Sequence, residues 1–198
     1  MRKLVVSMFV SLDGVMEDPA WTGPYWNNDI AKFKFDELVA SDALLLGRVT
    51  YELFAASWPT QKHAEAMKSA FSALPNPSAF SERMNTTPKF VASGTLTNLV
   101  WNNSKLIQAN LLEEVARLKQ QPGQNILLVG SGTLARALMK HGLVDEYRLL
   151  VYPLVLGHGK HLFAEGYSET LELVEAKPLN SNVVHLCYRH VGSNATFA

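Results

Sequence analysis

Buried strands that end at glycine and lead into helices are the feature that most constrains the fold of this chain. An apolar run at residues 126–129 stops at the glycine-rich turn 130–133, and helical spacing follows over residues 134–138. The stretches "LLLGRVTYELF" and "FVASGTLTN" also carry glycine at the end of an apolar run. In open α/β sheets, ligands lie beyond the carboxyl ends of the strands. We therefore expect the three junctions to line one edge of a single sheet, where free N–H groups at helix starts favour an anion.

Apolar runs alternate with helical spacing along most of the chain. The pattern predicts strands at residues 3–12, 43–46, 89–92, 99–101, 105–108, 126–129, 145–152, 170–176 and 183–190. It predicts helices at residues 29–39, 48–56, 64–74, 111–119 and 134–138. It predicts loops at residues 17–28, 75–88 and 153–163. This alternation indicates an α/β fold with a largely parallel sheet, closed by an antiparallel pair at the C-terminal edge.

The composition limits the classes of partner. Lys plus Arg and Asp plus Glu each total 18, and this zero formal charge weighs against nucleic acid or an anionic membrane as partner. The lone Cys187, expected to be buried, excludes an internal disulfide framework and fits a reducing cytoplasm. We interpret the N-terminal run "MRKLVVSMFVSLDG" as a first core strand rather than a signal peptide. A chain of 198 residues predicts one domain over residues 1–198.

The turn at residues 130–135 loosely fits the G-x-G-x-x-A pattern of Rossmann dinucleotide sites. A Rossmann domain places a carboxylate about twenty residues further on, at the end of the next strand. That strand here ends in "LLVYP", without a carboxylate, and the motif lies late in the chain. Both observations weigh against a Rossmann domain. An ordinary tight turn with a helix cap is the alternative for any single junction.

Arg48 and Thr50 add polar groups to the junction after residues 43–46. An arginine at a helix start can bind a phosphate through two hydrogen bonds, and a threonine hydroxyl can reach another oxygen. The pair favours a nucleotide with an extra phosphate, hence NADP over NAD. The alternative is a solvated arginine beside a threonine that faces the first helical turn.

Taken in order, these motifs resemble the dihydrofolate reductase-like superfamily. "GRVTYE" at residues 47–52 resembles its cofactor-binding turn, whose arginine and threonine contact NADPH phosphates. "VASG" at 91–94 matches its adenosine-side strand end, and "VGSGT" at 129–133 takes the place of its Gly-Gly turn. "SLDG" at 11–14 and "YPLVLGHGKHLF" at 152–163 resemble more closely the reductase domain of the riboflavin-biosynthesis deaminase–reductase.

The resemblance implies a three-layer α/β fold, with helices on both faces of a mostly parallel mixed sheet. It implies an NADPH-dependent reductase of a small heterocycle, pterin-like or ribosylaminopyrimidine-like, and a homodimer. A non-catalytic NADP-binding or dimerisation module is the alternative. The expected cofactor contacts are Leu12, Gly47, Arg48, Thr50, Ser93, Gly94, Val129, Gly130, Ser131, Gly132, Thr133 and Leu134.

The resemblance assigns to Asp29 the first-helix carboxylate that holds the substrate and favours its protonation. Dihydrofolate reductases also use a threonine near the position of Leu149 here, and its absence weighs against folate as substrate. One cysteine cannot supply the zinc site of the fused deaminase, so only the reductase activity is expected.

Aromatic residues and histidines remain as further candidates. Trp21, Tyr25 and Trp26 either stack on a heterocyclic substrate and cover the nicotinamide, or anchor their loop onto the core. His158 and His161 lie three apart in a glycine loop, a pattern more often exposed than metal-binding, and no metal site is predicted.

Overall fold

The computed structural model describes residues 1–191, which form one eight-stranded mixed sheet in the order β4-β3-β2-β5-β1-β6-β8-β7. The strands are β1 Leu4–Ser11, β2 Ser41–Gly47, β3 Lys89–Ala92, β4 Ser104–Ile107, β5 Asn125–Val129, β6 Glu146–Tyr152, β7 Leu171–Pro178 and β8 Val184–His190. The helices are α1 Asn28–Val39, α2 Arg48–Ser57, α3 Gln61–Ala70, α4 Ala79–Thr86, α5 Leu111–Gln120 and α6 Gly132–Lys140. The predicted domain also includes residues 192–198, which lie outside the described residues.

Strand β1 lies at the centre of the sheet and pairs in parallel with both β5 and β6. The run from β4 to β6 is parallel throughout, whereas β8 is antiparallel to both β6 and β7. A central parallel strand is covered on both faces, which explains why β1 is apolar almost without interruption. The predicted mostly parallel sheet with an antiparallel C-terminal edge is confirmed.

Two cores fill the space on either side of the sheet. Leu4 and Val6 of β1 face the core beneath α5 and α6, and Val5 faces the core beneath α1 to α4. Successive strand residues point to opposite faces, so this one strand contributes to both cores. The result is the predicted three-layer arrangement with helices on both faces.

Two predicted elements were wrong. Residues 75–88 contain helix α4, because Phe80 and Met84, four residues apart, are buried on one side of it. Residues 99–101 are not a strand, because the backbone N–H of buried Trp101 donates to the Tyr51 hydroxyl (3.0 Å) rather than to a neighbouring strand.

Within residues 1–191, no helix has the length and apolar character needed to span a bilayer.

Candidate active site

Strands β2, β3 and β5 are parallel and end at the same edge of the sheet, where a cleft of about 850 Å³ opens. Helix α2 starts directly after Gly47, and α6 starts directly after Ser131. We call this space the glycine cleft. Its lining includes Gly47, Arg48, Thr50, Ser93, Gly94, Gly130, Ser131, Gly132, Thr133 and Leu134. The structure thus brings most of the predicted cofactor contacts together.

Direct hydrogen bonds join two of the glycine junctions. The Gly47 N–H donates to Ser131 Oγ (2.9 Å), and the Ser131 N–H donates to Thr50 Oγ1 (3.0 Å). Gly130 has a φ of +57°, and a Cβ there would lie 3.2 Å from Thr50 Oγ1. Glycine is the residue that combines this left-handed backbone with so close an approach. The turn after β5 is therefore fitted against the start of α2.

Three cations, Arg48, Arg136 and Lys160, line the glycine cleft together with the carboxylates Glu17 and Asp18. The Arg48 guanidinium is 46% exposed and lies 2.9 Å from Glu52 of the same helix. Arg136 donates to the His161 carbonyl (2.8 Å), and Lys160 lies 2.5 Å from Glu17. The hydrogen bond from Lys160 lowers the pKa of the Glu17 carboxyl. An exposed ion pair such as Arg48–Glu52 is weak, so the guanidinium can exchange partners readily.

A second space, of about 530 Å³, lies between the sheet and α1 to α4. Met16, Pro19, Thr50, Leu53 and Gly130 line both this cavity and the glycine cleft, so the two spaces adjoin. We call the second space the aromatic cavity. Its aromatic lining is Phe9, Trp26, Phe54, Trp58, Phe71 and Phe80, and Met8, Met67 and Met84 complete its apolar wall.

A hydrogen-bonded group of three polar residues lies in the wall of the aromatic cavity. Ser7 Oγ donates to Glu37 Oε1 (2.9 Å), and Lys34 Nζ donates to Ser7 Oγ (3.0 Å) and to Glu37 Oε1. Glu37 is 2% exposed, and its other oxygen, Oε2, has no hydrogen-bond partner among the described residues. Buried polar atoms are normally paired, so this acceptor is suited to a ligand or water.

Trp58 and His63 pack together at another part of the cavity wall, with ring centroids 4.4 Å apart. Trp58 Nε1 and His63 Nε2 are buried without a hydrogen-bond partner among residues 1–191. Burial lowers the pKa of His63, so this side chain is neutral at pH 7.

Asp29 does not reach either space. It is exposed in the first turn of α1, where its Oδ2 accepts from Asn180 Nδ2 (2.7 Å) and from the Asn180 N–H (3.2 Å). Asn27 caps the helix through its side-chain oxygen, and Ile30, Ala31, Glu37 and Leu38 form the buried face of α1. The carboxylate of α1 that lines the aromatic cavity is Glu37, which sequence reasoning missed.

The predicted aromatic group divides in two. Trp26 lines the aromatic cavity and donates from Nε1 to the Ala70 carbonyl (2.9 Å). Trp21 and Tyr25 instead pack edge-on against Tyr152, with ring centroids at 5.4 and 5.7 Å. Trp21 and Tyr25 therefore anchor the loop, whereas Trp26 remains a candidate for substrate contact.

Two predicted cofactor contacts lie elsewhere. Leu12 is 68% exposed and lines neither space, and its backbone N–H donates to the Leu154 carbonyl (2.7 Å). Val129 lines the aromatic cavity rather than the glycine cleft. Side chains alternate along a strand, so the last residue of β5 faces the cavity while the glycines beyond it reach the cleft.

The turn after β1 is tied to the loop at residues 153–163. Asp13 accepts from the Gly157 N–H (2.8 Å) and the Leu156 N–H (3.2 Å). Its hydrogen bond from the Ser11 hydroxyl, together with these N–H groups, lowers the pKa of Asp13 to about 2. This contact places Met16 and Lys160 beside the glycine cleft.

Metal and thiol chemistry receive no support from the described part of the chain. No three His, Cys, Asp or Glu side chains in residues 1–191 are arranged to hold a metal ion. Cys187 is buried in β8, and burial raises the pKa of its thiol to about 11. A buried thiol of this kind is an unreactive apolar residue.

The sheet order, with a glycine cleft and an adjoining cavity at the carboxyl edge, defines a dihydrofolate reductase-like α/β protein. A family model for the RibD C-terminal domain matches residues 2–185, and the chain belongs to this family. The uncharacterized protein YyaP of Bacillus subtilis (strain 168) is 30% identical over 192 residues, which cover 96% of each chain.

Solved structures agree with this fold. A protein from Shewanella sp. PV-4 that is named for riboflavin biosynthesis aligns with a TM-score of 0.72 and 22% identity, covering 96% of this chain and 99% of that one. Dihydrofolate reductase from Enterococcus faecalis, complexed with NADP(H), aligns with a TM-score of 0.58 and 15% identity, covering 95% and 96%. These likenesses show the fold, and membership of the family supports an oxidoreductase of the reductase type with a small-molecule substrate.

Proposed function

We propose that this protein is an NADPH-dependent reductase that transfers a hydride to a small heterocycle. The observation that carries the proposal is the junction of the two spaces at Met16, Thr50 and Gly130. At this junction, a cleft suited to a nucleotide adjoins a largely apolar cavity that is large enough for a small ring compound. When bound, NADPH supplies the hydride, and the chain supplies binding, orientation and exclusion of water.

The residues of the glycine cleft fit a phosphorylated cofactor. The starts of α2 and α6 present backbone N–H groups, and Gly130 lets the turn after β5 pack closely against Thr50 at the start of α2. Arg48 and Thr50 would hold phosphate oxygens, with Arg48 assigned to the extra phosphate that distinguishes NADP from NAD. The complex of the Enterococcus faecalis dihydrofolate reductase with NADP(H) supports this choice of cofactor.

The aromatic cavity would hold the substrate. We assign to Glu37, in place of Asp29, the carboxylate that binds the substrate. Reduction by a hydride also consumes one proton, and the group Ser7, Lys34 and Glu37 holds exchangeable protons in the cavity wall. Closely packed aromatic and methionine side chains exclude water from the reacting carbon.

A homodimer is part of the same proposal. Strand β7 pairs with β8 on one side only, and residues 172–178 are exposed, including Leu173 and Val174 at 52% and 46%. Exposed sheet edges of this kind are usually paired or covered. Light scattering after gel filtration tests the dimer, and replacing both Leu173 and Val174 with lysine is expected to yield monomers. We also propose that the protein resides in a reducing cytoplasm, as expected from its single cysteine, Cys187.

The cofactor assignment is tested by titrating NADPH and NADH while their fluorescence is recorded. Arg48→Ala should weaken NADPH binding about tenfold or more, because a charge-assisted phosphate contact is lost, and should leave NADH nearly unchanged. Arg117→Ala is the matched control, since Arg117 is also exposed and paired, with Glu114. Equal losses for the two nucleotides would contradict the assignment of Arg48.

A turnover measurement distinguishes the proposed reductase from the alternative, a non-catalytic NADP-binding or dimerisation module. NADPH oxidation is followed with pterins, ribosylaminopyrimidines and small carbonyl compounds as substrates. Oxidation with any member of this panel supports the reductase, whereas tight NADPH binding without oxidation favours the module. If neither nucleotide binds at micromolar concentration, both functions are refuted.

A further inference from the structure

A group of three charged side chains lines the glycine cleft beside the start of α6. Arg136 Nη1 lies 3.6 Å from the position that a Cβ would take on Gly132, the first residue of α6. Lys160 contacts the Glu17 carboxylate twice, because its Nζ lies 2.5 Å from Oε1 and its backbone N–H donates to Oε2 (3.3 Å). All three side chains line the cleft. A carboxylate of the protein is therefore held by a lysine at the wall where a nucleotide is expected.

Both cations of this group act on the Glu17 carboxyl. The hydrogen bond from the Lys160 side chain is the largest cause that lowers its pKa, and attraction to the charges of Lys160 and Arg136 adds to the effect. An ammonium, a guanidinium and a backbone N–H beside a glycine turn are the donors that phosphate prefers in proteins. The Glu17 carboxylate thus occupies a set of groups that is suited to a phosphate.

The backbone near Glu17 is fixed, whereas its side chain is free to leave. The Met16 N–H donates to the Lys160 carbonyl (2.9 Å), and the Leu162 N–H donates to the Gly14 carbonyl (3.0 Å), so the two segments are held together. The side chains of Lys160 and Glu17 are nevertheless 67% and 42% exposed. An exposed ion pair of this kind is weak. Rotation of the Glu17 side chain alone would release the Lys160 ammonium to another anion.

We propose that Lys160 and Arg136 bind the phosphates that NADPH and NADH share, and that Glu17 competes with these phosphates for the two cations. This inference rests on the proposed function and adds to it a second phosphate subsite and a residue that limits cofactor affinity. Arg48 keeps its assignment to the extra phosphate, which NADH lacks. Binding of either nucleotide exchanges a carboxylate for a phosphate at Lys160, so affinity is lower than for a lysine without a partner.

Glu17→Gln removes the competing charge and keeps the shape of the side chain. We expect NADPH and NADH each to bind about two- to fivefold more tightly, a range that corresponds to the loss of one exposed ion pair. Binding is measured by fluorescence titration of the intact protein. Asp18→Asn is the matched control, because Asp18 also lines the cleft but pairs with neither Lys160 nor Arg136 within residues 1–191. No tightening in Glu17→Gln, or equal tightening in both variants, overturns the inference.

Lys160→Gln should act in the opposite direction. We expect several-fold weaker binding of NADPH and NADH, by similar factors, since the contact is with phosphates that both nucleotides carry. Lys32→Gln is the matched control, because Lys32 is 68% exposed and is also paired, with Asp36 (2.6 Å). In the Lys160→Gln background, Glu17→Gln should tighten binding less than it does in the wild type. A loss confined to NADPH, or independent effects of the two substitutions, contradicts the competition.

Inorganic pyrophosphate tests the subsite without the rest of the cofactor. At constant ionic strength and millimolar concentration, pyrophosphate should displace NADH from the wild-type protein, and it should do so more effectively in Glu17→Gln. Failure to displace NADH contradicts the proposed subsite. Ribose 5-phosphate distinguishes a cofactor phosphate from the phosphate of a substrate. If Glu17→Gln tightens the binding of ribose 5-phosphate but not of NADH, the two cations belong to a substrate site and the inference is overturned.

The inference and the proposed function fail in different ways. Pyrophosphate binding that responds to Glu17→Gln and Lys160→Gln, without binding of either nucleotide, would refute the reductase and retain the competition between Glu17 and a phosphate. NADPH binding and oxidation that neither substitution changes would retain the reductase and refute the second subsite.

Discussion

The glycine cleft and the aromatic cavity are neighbours that are built in different ways. Two junctions of the cleft are short local motifs, in which a strand, a glycine and a helix follow one another within about ten residues. The cavity instead combines side chains from β1, the loop before α1, and helices α1 to α4. A binding surface made of backbone groups is thus encoded locally, and one made of side chains depends on how distant helices pack.

This difference has an energetic counterpart. Many residues that line the cavity also belong to the hydrophobic core beneath α1 to α4, among them Phe71, Phe80 and Met84. The side chains of the cleft that would contact phosphate are partly exposed, as Arg48 is. Mutations in the cavity should therefore change folding stability and ligand binding together, whereas mutations in the cleft should change mainly binding.

Phe71→Ala gives the largest expected effect. Phe71 is 1% exposed and stacks on Phe80 with centroids 4.1 Å apart. Its truncation should lower the free energy of unfolding by about 3–5 kcal/mol, measured by urea denaturation. Arg48→Ala is the control and should change stability by less than about 0.5 kcal/mol. A loss below about 1 kcal/mol for Phe71→Ala would break the distinction between the two regions.

The sequence predicts the glycine cleft better than the aromatic cavity, because the cleft is built from local motifs and the cavity from side chains that are distant in sequence. A glycine at the end of an apolar run predicts the end of a strand, the turn and the start of a helix together. By contrast, the inward face of α1 depends on which of its side chains pack against the rest of the molecule, among them Ile30, Ala31 and Leu38. Lys34 and Glu37 follow buried Ile30 by four and seven residues, and this helical spacing is the signal that could have identified them.

Helix α4 and the exposed position of Leu12 were not predicted, for related reasons. Proline and asparagine in "PNPS" predicted a loop, but burial of Phe80 and Met84 against α3 and the sheet overrides the weak local preference. Leu12 is apolar and was expected to face the cofactor, yet the hydrogen-bonded turn centred on Asp13 turns it to solvent. Both outcomes depend on residues distant in sequence.

Gly130→Ala tests the difference between the two regions with a substitution in the glycine cleft. A left-handed backbone costs a non-glycine residue about 1–2 kcal/mol, and the added Cβ also crowds Thr50 Oγ1. We expect a stability loss of that size together with weaker NADPH binding, measured by urea denaturation and fluorescence titration. Gly142→Ala is the control, because Gly142 also has a left-handed backbone (φ +63°), a Cβ there meets nothing within 4 Å, and Gly142 lines neither space. A Gly130→Ala protein with wild-type NADPH affinity would argue against a cofactor at this turn.

Ser131→Ala should have a smaller effect. It removes the acceptor of the Gly47 N–H, which is one of the two hydrogen bonds that join the junctions after β2 and β5. The expected loss is about 1 kcal/mol of stability, with a several-fold drop in NADPH affinity. Ser57→Ala is a suitable control, since the Ser57 hydroxyl donates only to carbonyls of its own helix, such as that of Leu53 (3.0 Å). Equal effects of the two substitutions would show that the coupling of the junctions is unimportant.

The smallest expected effect concerns pH and the turn after β1. The pKa of Asp13 is lowered from 3.8 to about 2, first by the Ser11 hydroxyl and then by the Gly157 N–H. A carboxyl with a depressed folded-state pKa stabilises the protein above its unfolded pKa, and this stabilisation is lost as pH falls through the folded value. The stability difference between wild type and Asp13→Asn should therefore be constant above about pH 5 and shrink between pH 3.8 and about 2.

Thermal melts of both proteins over this pH range measure that difference, and Ser11→Ala provides the internal check. Without the Ser11 hydroxyl, the pH at which the Asp13 contribution disappears should move upward toward 3.8. A contribution that is already lost well above pH 4 in the wild type would show that the turn is not held by an ionised Asp13. The loop at residues 153–163 would then be positioned beside the glycine cleft chiefly by its backbone contacts, such as that between the Met16 N–H and the Lys160 carbonyl (2.9 Å).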